Sequence, residues 1–217
     1  MAEFDLCVIT ARCDRLQRGH LAVARAALEG GARLIQLRDK ALGGLALWEL
    51  GQELRHLTRQ YQATFVVNDR LDLALAVGAD GVHLGEEDLP VAAARRILGP
   101  QAIIGASAAS VVRARQAQAE GATYLGVGPI YSTPSKADAG EAIGLAGIAE
   151  IRRTVSLPVL AIGGVTRDNV GAVIRAGADG VAVISAVSEA ESMTEGTAAL
   201  LRAVREARAG TAAGANL

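Results

Sequence analysis

Aromatic side chains are scarce, at 3% of 217 residues, so the interior must be assembled from Ala, Val, Leu and Ile. Such a core suits parallel strands covered by helices on both faces. Cysteine is nearly absent: Cys7 and Cys13 cannot make a disulfide framework, and Cys7, inside an apolar run, reads as a small core residue. Excess charge of either sign is missing too. Lys plus Arg is 22 and Asp plus Glu is 23, so there is no basic stripe for nucleic acid. No apolar run approaches the roughly 18 residues that cross a bilayer, so no membrane association is expected. The first residues, Met1 to Asp5, carry Glu3 and Asp5 in place of a basic-then-apolar leader. These absences lead us to expect a soluble, cytoplasmic protein.

What is present is a repeating device. A helix-like stretch ends in Gly-Ala, a residue or two follows, and an apolar strand begins. It occurs at Gly31-Ala32, Gly78-Ala79, Gly121-Ala122 and Gly177-Ala178. Glycine just past a helix end can take the left-handed conformation that caps the last carbonyls. Recurring αβ turns of this kind are what alternating βα units need. Four more strands lack the Gly-Ala lead: Leu6 to Ile9, Thr64 to Val67, Ala102 to Ile104 and Val159 to Ile162. Between the strands lie amphipathic segments such as Leu47, Leu50, Leu54, Leu57 and Tyr61, spaced three and four apart. Others are expected at Pro90 to Leu98, Ala109 to Glu120, Thr166 to Ala176 and about Glu189 to Arg208. Eight βα units with no linker or composition break predict a single α/β domain, a (β/α)₈ TIM barrel over residues 1–208. The small, polar segment 209–217 is expected to be a frayed tail.

In such barrels chemistry sits at the C-terminal ends of the strands. Those ends carry Gln36-Leu37-Arg38-Asp39-Lys40, Asn68-Asp69-Arg70, Gly85 to Asp88, Gly105-Ala106-Ser107, Gly128 to Lys136, Gly163 to Thr166, and Ile184-Ser185. Polar and glycine residues concentrate there. Arg38, Lys40 and Lys136 can converge on a polyanion, whereas each alone would read as a surface ion-pair partner. Asp69 and Asp88 come from adjacent strands and could share Mg²⁺, which takes one or two carboxylates and completes its octahedron with water and phosphate oxygens. Taken singly, Asp69 could instead cap the next helix, and Glu86 and Glu87 are rival ligands. Gly163-Gly164 and Ile184-Ser185 form a second anion locus, since loops after strands 7 and 8 commonly hold phosphate on backbone N–H groups. Two anion sites imply two phosphorylated small molecules or one long bisphosphate. His83, within a strand, reads as a hydrogen-bonded core residue. His20 and His56 read as solvated helix residues, and Trp48 as helix packing. The long segment from Gly128 to Gly144 reads as a lid.

Seven segments in this order resemble the thiamine-phosphate synthase family. They are QLRDK from Gln36, NDRLDLA from Asn68, GADGVHLGEEDLP from Gly78, GAS from Gly105, YLGVGPIYSTPSK from Tyr124, AIGGVT from Ala161 and GVAVISAV from Gly180. The resemblance runs from about residue 6 to 205. It implies that Gln36, Leu37, Arg38, Asp39 and Lys40, with Asn68, Ser107 and Lys136, hold 4-amino-5-hydroxymethyl-2-methylpyrimidine diphosphate. Arg38, Lys40, Ser107 and Lys136 would be catalytic, and Asp69 and Asp88 would ligate Mg²⁺. Thr133, Pro134, Ser135, Gly164, Ile184 and Ser185 would hold the thiazole phosphate. The products would be thiamine phosphate and diphosphate. Two positions depart from the family's frequent residues: Cys7, where tyrosine is common, and Ala109, where histidine is.

Residues and resemblance meet on one reaction type, loss of diphosphate from a methylene on an electron-rich ring, followed by attack of a positioned thiazole nitrogen. Three alternatives use the same barrel: thiazole tautomerase, a Schiff-base aldolase built on Lys40 or Lys136, and a non-catalytic sensor of phosphorylated ligands. Self-association into a homo-oligomer stays open at this level.

Overall fold

The computed structural model describes residues 4–133 and 140–214. Strand and helix alternate as the sequence predicts: β1 (Leu6–Thr10), α1 (His20–Glu29), β2 (Leu34–Leu37), α2 (Gly44–Gln60), β3 (Thr64–Asn68), α3 (Leu71–Val77), β4 (Gly81–Leu84) and α4 (Val91–Leu98). The second half continues with β5 (Ile103–Ala108), α5 (Val111–Ala119), β6 (Tyr124–Val127), α6 (Gly144–Arg152), β7 (Val159–Ile162), α7 (Val170–Arg175), β8 (Gly180–Val183), α8 (Ser185–Ser188) and α9 (Met193–Gly214). The strands close in sequence order, β8 pairing β1, and every pairing is parallel. This is the expected (β/α)₈ barrel. No helix among the described residues is long and apolar enough to cross a membrane.

Period-two alternation divides each strand between two interiors. Outward residues such as Val8, Ile35, Leu37, Phe65, Val67 and Ile104 pack against the helices. Lumen residues Cys7, Ile9, Leu34, Val66, Tyr124, Leu160 and Ala182 form a smaller cluster of their own. The same parity aims Gln36, Asn68, His83 and Ser107 inward. The barrel is therefore apolar at its lower levels and polar toward its C-terminal mouth.

The N-terminal rim is more than a set of plain turns. Gly-Ala-Asp-Gly occurs twice, at 78–81 and 177–180, and both aspartates clamp the neighbouring strand. The Asp80 carboxylate accepts hydrogen bonds from the Phe65 amide and the Arg55 guanidinium, each at 2.7 Å. Asp179 accepts from the Val159 amide at 2.8 Å. The following glycines let the strands approach: a Cβ on Gly81 would lie 1.7 Å from the Ile103 carbonyl oxygen, and one on Gly180 would lie 1.9 Å from that of Phe4.

Several details differ from the expectations. Strand β5 runs on to Ala108, so Ser107 is a strand residue rather than a loop residue. The carboxyl-terminal helix starts at Met193 and continues to Gly214, past the boundary expected at 208; three alanines in 209–214 favour it and Gly210 and Gly214 do not. The short α8 separates it from β8. Trp48 does not pack between helices; it stands 42% exposed on α2 near Leu45. The lid expectation centres on 134–139, outside the described residues.

The aspartate clamp predicts that Asp80→Ala leaves the Phe65 amide and Arg55 without their acceptor, at a cost of about 1–3 kcal/mol. Thermal unfolding should show a Tm lowered by roughly 2–4 °C per kcal/mol, with activity per folded molecule unchanged because the mouth is at the other end.

Candidate active site

The C-terminal mouth is organised around two carboxylates. Asp69 ends the β3 turn with φ of 65°, the left-handed region that a non-glycine residue rarely occupies. That geometry is fixed by its amide, which donates to the His83 carbonyl of β4 at 2.8 Å. Asp88 closes the turn after β4, and one of its oxygens accepts the Gly85 amide at 2.7 Å. The two acids meet: Asp69 hydrogen-bonds the Asp88 side chain. Burial, that bond and the Asp88 charge push the Asp69 carboxyl up to about 6, while Lys40 and Arg38 pull it back down. Both cations thus lie near enough to the acidic pair to act on it, as groups sharing one polyanion must.

The helix-cap alternative for Asp69 does not hold. The residue preceding α3 is Arg70, with no side-chain cap, and Asp69 points into the mouth. Asp72 is only a first-turn acid, paired with Arg70 at 2.6 Å. Glu86 does not join the acids; it accepts from the Ala109 amide at 3.4 Å. Among the described residues no cluster of three His, Cys, Asp or Glu side chains exists. Two facing carboxylates, with Arg38 and Lys40 close by, fit Mg²⁺ completed by water and substrate oxygens. A divalent ion there would relieve the repulsion between them.

The loop after β2 is held from below. His20, the first residue of α1, is buried, with Nδ1 2.9 Å from the Thr10 hydroxyl and Nε2 3.0 Å from Asp39. Asp39 also accepts from the Ala41 and Leu42 amides at 2.7 and 3.0 Å, and Arg12 lies 3.4 Å away. Burial raises the Asp39 carboxyl, but the Ala41 amide, the His20 ring and the Leu42 amide outweigh it and hold the group below its ordinary value. His20 is therefore not the solvated residue its helical position suggested, because the acceptor waiting for it lies on a different loop. The Asp39 side chain is thus occupied within the protein, on the loop that carries Arg38 and Lys40. Leu37 packs its side chain outward against the helices, leaving only its backbone near the mouth. His56, in contrast, is exposed and bonds Gln60 at 3.0 Å, as expected.

Inside the mouth, Gln36 and Ser107 come from β2 and β5, and Asn68 ends β3. Two further polar residues lie between Gln36 and Ser107, namely Tyr124 and His83. His83 Nε2 is 3.1 Å from Ser107 Oγ, and Nδ1 is 3.0 Å from the Tyr124 hydroxyl. Sequence reasoning assigns Tyr124 no role; its parity with Ser107 across β5 and β6 is the signal that could have found it.

On the opposite side, β7 is followed by Gly163 and Gly164, at φ of 96° and 64°. Each glycine is also required by packing, since a Cβ would meet Pro129 at 2.7 Å or Tyr131 at 2.7 Å. Asn169 ties this turn by donating to the Gly164 carbonyl and accepting from the Thr166 amide. Ile184 and Ser185 open α8 beside it, a short extra helix after β8 of the kind that carries phosphate sites in such barrels. Thr133 is the last described residue of the β6 loop; Pro134, Ser135 and Lys136 lie outside the described residues.

Residues 6–187 match the family model described as thiamine monophosphate synthase. The chain belongs to the thiamine-phosphate synthase family. It is 51% identical to the thiamine-phosphate synthase of Moorella thermoacetica over 96% of this chain and 99% of that one. The thiamine-phosphate synthase of Methanoculleus marisnigri is also 51% identical, over 95% and 98%. A solved structure of thiamine phosphate pyrophosphorylase from Pyrococcus furiosus superposes with a TM-score of 0.86 at 46% identity, covering 94% of this chain and 96% of that one. Family membership and barrel thus agree, and the acidic pair lies where the family's segments NDR and GEED converge.

The raised Asp69 group has a measurable consequence in metal-free protein. Its native pKa of about 6 exceeds the ordinary 3.8, so the folded state holds this proton better than the unfolded chain does. The resulting stabilisation is present at low pH and is lost as pH rises through about 6. Asp69→Asn should therefore raise the metal-free Tm at pH 8 by a few degrees, about 1 kcal/mol once solvent screening is allowed for, and give little gain at pH 4. Thermal melts at the two pH values check this.

Proposed function

We propose that this chain condenses 4-amino-5-hydroxymethyl-2-methylpyrimidine diphosphate with thiazole phosphate to give thiamine phosphate and diphosphate. The observation that carries the reading is the meeting of Asp69, Asp88, Arg38 and Lys40 at one barrel mouth, in a chain of this family. Arg38, Lys40 and, from the β6 loop, Lys136 hold the diphosphate, with Asn68 and Ser107 beside them, and Gln36 takes the pyrimidine edge. Thr133, Pro134, Ser135, Gly164, Ile184 and Ser185 form the thiazole phosphate site. The roles of Leu37 and Asp39 reduce to backbone contact and to bracing the cationic loop.

The chemistry asks for no nucleophile from the protein. The methylene C–O bond breaks and its electron pair leaves with the diphosphate, while the aminopyrimidine ring spreads the positive charge left behind. The thiazole nitrogen lone pair then forms the new C–N bond. Arg38 and Lys40 act where charge builds on the leaving group, in a mouth that already holds them in place. Mg²⁺ held by Asp69 and Asp88 would supply Lewis-acid stabilisation of the same oxygens. Holding the thiazole by its own phosphate fixes its nitrogen near the reacting carbon, which is catalysis by approximation. A tautomerase would have no use for paired acids facing two cations. The reaction is assigned to the cytoplasm, and no nucleic-acid or membrane partner is proposed.

Diphosphate release should require both substrates and Mg²⁺. Arg38→Ala should lower turnover by about 10²–10³ while leaving the KM for thiazole phosphate nearly unchanged. No thiamine phosphate formed alongside the released diphosphate, or equal losses in both parameters, would contradict the assignment.

A further inference from the structure

Tyr124 and His83 occupy the lumen between two residues of the proposed pyrimidine diphosphate site. Tyr124 is completely buried, yet its hydroxyl carries two partners, His83 Nδ1 at 3.0 Å and the Gln36 side chain. His83 Nε2 lies 3.1 Å from Ser107 Oγ. A continuous chain of polar side chains therefore runs from Gln36 on β2 through β6 and β4 to Ser107 on β5. Space for it is built into the barrel. In register, Gly105 lies between His83 and Tyr124, and Gly126 lies beside Ser107. A Cβ on Gly105 would come within 2.2 Å of the Tyr124 ring and 2.4 Å of His83 Nδ1, and one on Gly126 within 2.8 Å of the His83 ring. The two rings sit 5.5 Å apart, centre to centre.

The proton inventory gives this chain a direction. A phenol and a neutral imidazole each carry a single proton to donate. Burial, then the nearby Cys7, raise the Tyr124 hydroxyl's pKa, and the Gln36 bond opposes them. The sense assigned to the chain is the one in which the Gln36 amide N–H donates to the phenol oxygen. With a neutral ring at His83, that sense sends the phenol proton to Nδ1 and puts the imidazole proton on Nε2, facing Ser107. With its oxygen lone pair so engaged, Ser107 has its hydroxyl proton available for the mouth, where diphosphate oxygens are acceptors only. Gln36 keeps its carbonyl oxygen and one N–H, which match the amino N–H and the ring nitrogen of an aminopyrimidine. The reverse direction would turn a Ser107 lone pair toward the diphosphate.

We propose that Tyr124 and His83 are positioning residues that fix the donor–acceptor polarity of Gln36 and Ser107, so that the site selects a 4-aminopyrimidine and donates to its leaving group. This rests on the proposed synthase reading and adds two residues to it. An oxo group in place of the amino group would set two acceptors against each other at Gln36.

The test is steady-state kinetics of the full chain with Mg²⁺, thiazole phosphate, and either the 4-amino or the 4-oxo pyrimidine diphosphate. Tyr124→Phe keeps the ring and removes the hydroxyl. It should lower kcat about tenfold, shrink the amino-over-oxo preference by a similar factor, and leave the KM for thiazole phosphate unmoved. In a Ser107→Ala background the same change should cost much less, since the two act along one chain. Should Tyr124→Phe fold poorly, substitutions at His83 decide the same question: His83→Gln, whose amide can accept and donate in the same sense, should restore much of the kcat lost in His83→Leu. An unchanged amino-over-oxo preference with additive losses, or no difference between Gln and Leu, overturns the relay while leaving the synthase reading intact. A wild-type chain that releases no diphosphate from this substrate pair overturns both.

Discussion

The architecture of the mouth depends on bringing two like charges together. Asp69 and Asp88 face each other from adjacent strand ends; burial first, then the contact with Asp88, raise the Asp69 carboxyl to about 6, and the pair is unfavourable when both are ionised without a counter-charge. Everything near them reads as provision for that pair. Asp69 adopts a left-handed backbone conformation held by the His83 carbonyl, and Asp88 is fixed by the Gly85 amide. Arg38 and Lys40 supply positive charge, braced by a loop whose own acid, Asp39, is spent on His20, Arg12 and two amides. Local instability is tolerated here because a cation and a diphosphate would relieve it, which is how functional sites commonly use strain.

The two ends of the barrel divide the work. At the N-terminal rim, carboxylates such as Asp80 and Asp179 are satisfied by amides and arginines and serve to hold strands together. At the C-terminal mouth, two carboxylates meet each other, with Arg38 and Lys40 near them. Glycine has a different use at each end: Gly81 and Gly180 admit a neighbouring backbone, whereas Gly105 and Gly126 make space for the His83 and Tyr124 rings. With so few aromatics, a fully buried tyrosine beneath the mouth is a deliberate use of a scarce side chain.

Much of this was legible in the sequence, for identifiable reasons. The Gly-Ala turns marked the strand starts because helix-ending glycines carry a backbone constraint that no tertiary context removes. Adjacent strand ends in a parallel barrel lie side by side, so the meeting of Asp69 with Asp88 followed from topology alone. Three failures share one cause, the direction of a side chain. Leu37 and Gln36 are neighbours in sequence, and only the parity of β2 sends one side chain to the helix-side core and the other to the lumen. His20 looked solvated because its partners, Thr10 and Asp39, lie on other elements. The link from His83 to Tyr124 depends on inter-strand register, which periodicity cannot supply. The Gly163-Gly164 turn was assigned to phosphate on flexibility, yet contacts with Pro129 and Tyr131 demand both glycines in any case.

The central claim is that Asp69 and Asp88 form one divalent-cation site shared with a diphosphate. A crystal of the full chain grown with Mn²⁺ in place of Mg²⁺ and with inorganic diphosphate, measured at the manganese absorption edge, examines it most directly. The expected result is a single strong anomalous peak bridging the two carboxylates, with diphosphate oxygens completing its coordination and Arg38 and Lys40 on the same anion. Manganese bound elsewhere on the barrel, or diphosphate seated away from that ion, would contradict it.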